Sequence, residues 1–297
     1  MKNYIAFDIG GSSVKFGVVN QQGEILHKGS FKTPKEELDM LILKMVEIVD
    51  IYEKDMKLEG IALSCPGAVN NEEGVIYGAS AVPYIHGPNL RNILKAATDL
   101  DVCMGNDANC AALAEVWKGA AKDNNDVLFL VCGTGIGGAI VKDKKLHLGA
   151  NLHCGEFGYM IMESDMGKGI IGNFSEVAST FSIVRRVAQY KNIATSEIDG
   201  KKIFDMAKEG DKDCIRAIDE FYYKLALGIF NLQYVYDPEV IVIGGAISVR
   251  EDLVQCINAK LEIILKQAEI AKIMPSVKKC VYSNDANLIG AVYNFIN

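Results

Sequence analysis

No stretch of this chain approaches the roughly 18 consecutive apolar residues that a membrane-spanning helix needs, so a membrane protein is not expected. A secretory signal is missing as well: the opening apolar run meets Asp8 too soon. Cysteines at Cys-x-x-Cys spacing are absent. The eight present, Cys65, Cys103, Cys110, Cys132, Cys154, Cys214, Cys256 and Cys280, lie mostly in apolar runs. They read as reduced, largely buried thiols of a cytoplasmic protein. Excess positive charge is lacking too. Thirty-one basic against 38 acidic residues leave a formal charge of −7, which argues against a nucleic-acid or membrane-surface partner. It leaves room for a small anion held by local N–H groups. With only six prolines, the chain has no linker rich in Ser, Gly or Pro. Its 297 residues, 49% hydrophobic and 23% charged, suit one large or two ordinary soluble domains.

What is present centres on residues 127–141. An apolar run long enough for a buried strand meets Gly133, Thr134, Gly135, Ile136, Gly137 and Gly138, and a second apolar run follows. Glycine permits backbone angles and close approach that a Cβ forbids. Two strands joined by such a turn can present a row of N–H groups to a phosphate; a plain hairpin turn is the simpler alternative. Residues 5–19 repeat the plan, with Asp8 at the end of the first strand and Gly10, Gly11, Ser12 and Ser13 in the turn. Asp8 there either orients magnesium, directly or through water, or bonds its own turn. A third glycine turn, Gly244-Gly245, follows the apolar run 240–243. Two hairpins of one plan point to a duplicated α/β unit.

The connecting segments are mainly structural. Residues 33–36, Thr-Pro-Lys-Glu, predict a capping box with Pro34 at the first helical position, ahead of an amphipathic helix over 38–52. Residues 58–64 predict a strand ending in the forced turn Cys65-Pro66-Gly67. Residues 74–90, with two glycines and two prolines beyond Gly74, predict a loop near a cleft; His86 lies there, with little in the pattern to make it a ligand. A strand over 101–105 runs into Asn106-Asp107, either one the N-cap of a helix. The functional alternative for that carboxylate is ligand binding at a strand's C-terminal end. Glu156 sits between glycines in a loop-like stretch, and 167–174 predicts another glycine loop. Glu176 stands in the first turn of a helix. Helices are expected over 213–236 and 251–267 and at the C-terminus, with a short strand at Val281.

Taken in order, Asp8 to Lys15, Asn106-Asp107-Ala108-Asn109, Gly133 to Gly138, Gly155-Glu156-Phe157-Gly158, Ile243 to Ser248 and Asn284-Asp285-Ala286 resemble the ROK family of repressors and sugar kinases across essentially the whole chain. The resemblance implies the duplicated actin-like, ribonuclease-H-like α/β ATPase fold, two lobes around a cleft. Residues 1–116 with 285–297 would form the smaller lobe and 117–284 the larger. It implies an ATP- and magnesium-dependent, glucokinase-like sugar kinase, cytoplasmic and homodimeric. Asp8, Gly10, Gly11, Ser13 and Lys15 would meet ATP, with Asp8 near magnesium. Gly133, Thr134, Gly135 and Gly137 would form the second phosphate loop, and Gly244 and Gly245 would lie beside the adenosine. Asp107 matches the catalytic base; Gly67, Asn106, Glu156 and Glu176 match sugar-binding positions.

The chain departs from the family at one place. The usual histidine three residues after the glutamate, which contacts sugar in other members, is here Tyr159, counted with the sugar-binding residues, and residues 168–175 replace the usual cysteine cluster. Tetrahedral zinc needs about four N or S ligands, and only His153 and Cys154 are nearby, so no structural zinc is expected. Similar zinc-less members include bacterial β-glucoside kinases and N-acetylmannosamine kinases. The substrate is thus read as a hexose or β-glucoside, with N-acetylmannosamine as the alternative. Repressors of the family carry a helix-turn-helix ahead of the first hairpin, which here starts at Ile5, so a sugar-responsive regulator is the weaker reading.

Overall fold

The computed structural model describes residues 1–35, 37–282 and 285–297. Glu36 of the expected capping box and Asn284 of the last motif lie outside the described residues. The chain divides into two compact units, Met1–Asp123 with Leu146–Cys154 and Asn284–Asn297, and Asn124–Lys145 with Gly155–Ser283.

The first unit starts with a strand apolar on both faces, β1 (Asn3–Ile9). A chain buried on both faces needs cover on both sides. Ile5, Phe7 and Ile9 enter one cluster, Tyr4 and Ala6 another. The turn at Gly10 leads into β2 (Ser13–Asn20), antiparallel to β1, which sets Lys15 opposite Asp8. β3 (Ile25–Lys32) continues the meander. Helix α1 (Leu38–Glu53) then buries Leu41, Ile42, Met45 and Val49 against the first face. Its N-cap is Glu37, which makes no side-chain cap bond, so the helix does not begin at Pro34 as the sequence predicted. The Thr33 hydroxyl is used elsewhere, donating to the Gly10 carbonyl at 2.6 Å. β4 (Leu58–Cys65) lies parallel to β1.

The loop expected over 74–90 is more ordered than its glycines and prolines suggest. β5 (Ala68–Asn70) and β6 (Val75–Tyr77) form a hairpin, Pro83–Ile85 makes a 3-10 turn, and α2 (Leu90–Thr98) follows. Asn89 caps α2 by accepting the Asn92 N–H at 2.9 Å, and buried Leu90 and Leu94 anchor it. β7 (Val102–Asn106) pairs parallel to β4, and α3 (Asp107–Lys118) begins directly at its end.

The second unit repeats this plan. β8 (Val127–Cys132) and β9 (Ile136–Lys142) are antiparallel, and β10 (Lys145–Leu146) extends the sheet. β11 (Ile161–Asp165) and β12 (Gly169–Asn173) form a hairpin where a glycine loop was expected. Pairing with β11 draws Gly169–Asn173 into a strand and leaves Gly167 in the turn, a partner that local composition does not reveal. Helices α4 (Phe174–Ala178), α5 (Thr180–Lys191), α6 (Gly200–Lys208) and α7 (Lys212–Tyr236) follow, and α7 carries Phe221, Leu225, Ile229 and Leu232 through the core. β13 (Val240–Gly244) is parallel to β8; α8 (Leu253–Ala268) and β14 (Val277–Lys279) complete the sheet, with Ile241 opposite Val277. That register ends the strand before Val281, which is 65% exposed, so the strand predicted there is not formed.

The chain then rejoins the first unit as α9 (Ala286–Ile296), packed on α3 over the second face of β1. The sheets have the orders β3-β2-β1-β4-β7 and β10-β9-β8-β13-β14. Each has its first two strands antiparallel and its fourth and fifth positions parallel to the first. This is the duplicated actin-like, ribonuclease-H-like plan.

Candidate active site

In the first unit the parallel strands β1, β4 and β7 end at one edge of the sheet, where open α/β folds bind ligands. Asp8, half-buried near the end of β1, is fixed from two sides: its Oδ1 accepts from Ser64 Oγ of β4 and from Asn287 Nδ2 of α9, each at 2.8 Å. The turn beside it is tightly drawn. Gly10 N–H donates to the Ser13 carbonyl at 3.1 Å, and a Cβ on Gly10 would stand 2.9 Å from that oxygen. Gly11 and Ser12 at the tip are exposed, and Ser13 and Lys15 are half-buried at the start of β2.

At the end of β7, Asn106 has two tasks. Its Oδ1 accepts the Asn109 N–H at 3.2 Å and caps α3, while its Nδ2 donates to the Gly67 carbonyl at 3.0 Å. Gly67 follows β4 with φ +102°, a conformation that favours glycine. Asp107, exposed in the first turn of α3, accepts the Ala108 N–H on Oδ1 at 2.7 Å. Buried between these groups, the Cys65 thiol is pushed well up by burial first, then by the Asp8 and Asp107 carboxylates. It therefore stays protonated and is not a nucleophile. The sequence thus brings Asp8, Gly10, Gly11, Ser13, Lys15, Gly67, Asn106 and Asp107 to one edge of one sheet.

In the second unit the tip of the β8–β9 hairpin is the corresponding place. Thr180, at the start of α5, donates both its hydroxyl (2.6 Å) and its N–H (2.8 Å) to the Gly133 carbonyl. Ser175 Oγ accepts the Ile136 N–H at 2.9 Å. Held in this way, Gly133 and Gly137 face open space, for a Cβ on either would meet nothing within 4 Å. Thr134, between Gly133 and Gly135, is exposed at the tip. Gly138 and Gly158 are glycines because Phe157 and the Ile136 carbonyl crowd them, which presses the Glu156–Tyr159 turn onto β9. Glu156 is exposed and Tyr159 is 74% exposed. Glu176 forms a capping box with Asn173: its Oε2 accepts the Asn173 N–H, and Asn173 Oδ1 accepts the Glu176 N–H, both at 2.9 Å. Gly244 lies against Phe129, and Gly245, with φ +84°, lies against the backbone of Cys132. The Cys132 thiol is pushed up to about 12, by burial above all.

Residues that sequence reasoning passed over, or in the case of Thr33 gave another role, do much of this positioning. Ser64, Asn287, Thr33, Ser175 and Thr180 each hold a motif residue. Only Asn287 had a visible signal, standing one residue after the last quoted motif.

Known proteins resemble this chain along most of its length. A sequence profile of the ROK family matches residues 4–297. The β-glucoside kinase of Listeria monocytogenes is 36% identical over 293 residues, covering 98% of this chain and 96% of its own. The glucokinase of Halalkalibacterium halodurans is 32% identical over 268 residues, 82% of this chain and 80% of its own. A crystal structure of a ROK family protein from Streptococcus pneumoniae TIGR4 in complex with sucrose is 38% identical with a TM-score of 0.90, covering 99% of this chain and 98% of that one.

Proposed function

Since the chain belongs to the ROK family, we propose that it is an ATP-dependent carbohydrate kinase that transfers the γ-phosphate to a sugar hydroxyl, the 6-hydroxyl of glucose or of a β-glucoside. The observation that carries this reading is Asp107: an exposed carboxylate at a strand-to-helix junction, next to an asparagine tied to the Gly67 turn. A hydroxyl is a poor nucleophile at neutral pH. Asp107 accepts its proton as the oxygen attacks the γ-phosphorus, the new P–O bond forms and the bond to ADP breaks. Asn106 and Gly67 orient the sugar beside that base. In the second unit Glu156 and Glu176 accept hydrogen bonds from sugar hydroxyls; Glu176 does so while its capping bond holds it still.

The glycine turns supply the phosphate contacts in this reading. The exposed tip at Gly11 and Ser12, with Ser13 and Lys15 behind it, receives phosphate oxygens, as do the open faces of Gly133 and Gly137 flanking Thr134 and Gly135. Gly244 and Gly245 lie beside the adenosine. Both bonds to Asp8 among the described residues end on Oδ1, so Asp8 would hold magnesium or its water through Oδ2. When bound, that ion neutralises charge on the phosphates. A cytoplasmic homodimer completes the reading. No helix among the described residues is long and apolar enough to cross a membrane.

The decisive experiment is coupled ATP consumption with glucose, cellobiose, N-acetylmannosamine, mannose and fructose. Turnover on glucose or cellobiose is expected, and turnover with none of them would sink the kinase reading. Tyr159, 74% exposed and three residues after Glu156, is read as a stacking surface for a second sugar ring. Tyr159→Ala should raise KM for cellobiose roughly fivefold more than for glucose, the order of one aromatic contact; equal changes would remove Tyr159 from the site. Zinc has no place in this reading, since Tyr159 stands at the position of the family's usual histidine and residues 168–175 contain no cysteine. Elemental analysis of protein purified without chelator should find no stoichiometric zinc.

A further inference from the structure

Residues 78–87 carry none of the family's motifs, yet they lie against both the sugar-side and the phosphate-side turns of the first unit. Val82 and Ile85 are fully buried and anchor the segment. Upstream of them, the Ala81 Cβ would stand 2.6 Å from a Cβ on Gly11. Downstream, His86 Cε1 would stand 2.9 Å from a Cβ on Gly67. The imidazole is therefore in contact with the turn whose carbonyl takes the Asn106 amide.

Both ends of His86 are held. Its N–H donates to the Pro83 carbonyl at 3.3 Å, and the next residue, Gly87, donates to the Ile76 carbonyl at 3.2 Å. Its Nε2 lies 2.8 Å from Ser80 Oγ, which also accepts the Val82 N–H at 3.1 Å. The other ring nitrogen, Nδ1, is buried without a hydrogen-bond partner among the described residues. Most buried polar groups are paired, and an unpaired one is unfavourable. An apolar ring would fill this space without that penalty but would lose the bond to Ser80. The bond to Ser80 is thus the property that distinguishes histidine here, and it fixes the ring's angle against Gly67.

We propose that His86 is a positioning residue of the sugar site: locked by Ser80, its ring sets the height of the Gly67 turn, and through the Gly67 carbonyl it orients Asn106 beside Asp107. This rests on the sugar-kinase reading above. The segment has no part in the chemical step and touches no reacting atom.

The test uses His86→Ala, Ser80→Ala and His86→Gln in the full chain, with two readouts. The first is hydrogen exchange of the Asn109 amide, which is protected by the Asn106 cap and needs no substrate. It should accelerate about tenfold in both alanine variants, the scale of one lost hydrogen bond. The second is steady-state kinetics on the best sugar of the panel. KM for sugar should rise about tenfold with KM for ATP within about twofold, and His86→Gln, which restores a polar group near Nε2, should recover most of the loss. Unchanged exchange, or equal changes in both KM values, would overturn the proposal. If His86→Ala fails to fold, Ser80→Ala removes the same bond from the other side and decides alone. If the wild-type protein phosphorylates no sugar, the kinase reading fails, while the exchange result still decides the link from His86 to Asn106.

Discussion

Asp107→Asn should lower kcat by about a hundredfold or more while sugar binding persists. On the proposed mechanism the substitution removes the proton acceptor while keeping the size and shape of the side chain. Asparagine retains a side-chain oxygen where Oδ1 accepts the Ala108 N–H. The N-cap of α3 is Asn106, not Asp107, so the helix keeps its start. Unlike asparagine, the carboxylate can take a proton as the hydroxyl attacks; an amide leaves that proton to water. The loss should therefore fall on kcat, with the sugar dissociation constant, measured calorimetrically, changing by no more than about threefold. Near-normal turnover would remove Asp107 from the role of base. The thermal midpoint of the variant should match the wild type, which separates lost chemistry from lost structure.

Gly290→Ala should unfold the first unit at far lower denaturant concentration, although helix propensity favours the opposite. Within an exposed helix, alanine stabilises by about 1 kcal/mol relative to glycine. Here the new Cβ would lie 1.6 Å from the Cys110 carbonyl oxygen and 2.5 Å from its carbon. Both are backbone atoms, so no rotamer change relieves the collision, and α9 must move away from α3. Overpacking of this kind outweighs the propensity gain, with a net loss of roughly 2–4 kcal/mol. The effect extends to the site, because α9 also carries Asn287, a donor to Asp8, and α3 carries Asp107. Urea denaturation measures the loss; an unchanged or raised midpoint would show that the two helices can separate freely. Gly290 lies outside every motif, so its importance comes from the crossing of two helices.

Several features were legible in the sequence because they are local. A strand, a glycine turn and a returning strand occupy about fifteen consecutive residues, and the backbone angles of the turn admit few residues besides glycine. The Asn106 cap reaches only to Asn109. Two such hairpins in one chain were enough to suggest duplication, and the sheet orders show it. The misreadings share the opposite property. Thr33 has the chemistry of an N-cap, but its hydroxyl is taken by Gly10, 23 residues away. The glycines of 167–174 suggest a loop until β11 supplies hydrogen-bond partners. Residues 146–154 rejoin the first unit, which no local pattern announces, whereas the return of the C-terminal helix was implied by the family resemblance.

The amino-acid order by itself determined the two glycine hairpin turns, the Asn106 cap and the identity of the chemical groups, since each depends on backbone conformation within a few residues. Tertiary structure alone decided their placement. Asp8 and Asn287 are 279 positions apart, yet the packing of α9 puts an amide 2.8 Å from the carboxylate. His86 owes its place against Gly67 to the buried anchors Val82 and Ile85. Long-range partners of this kind are selected by core packing, where many weak contacts act together, and no short stretch of sequence contains that sum.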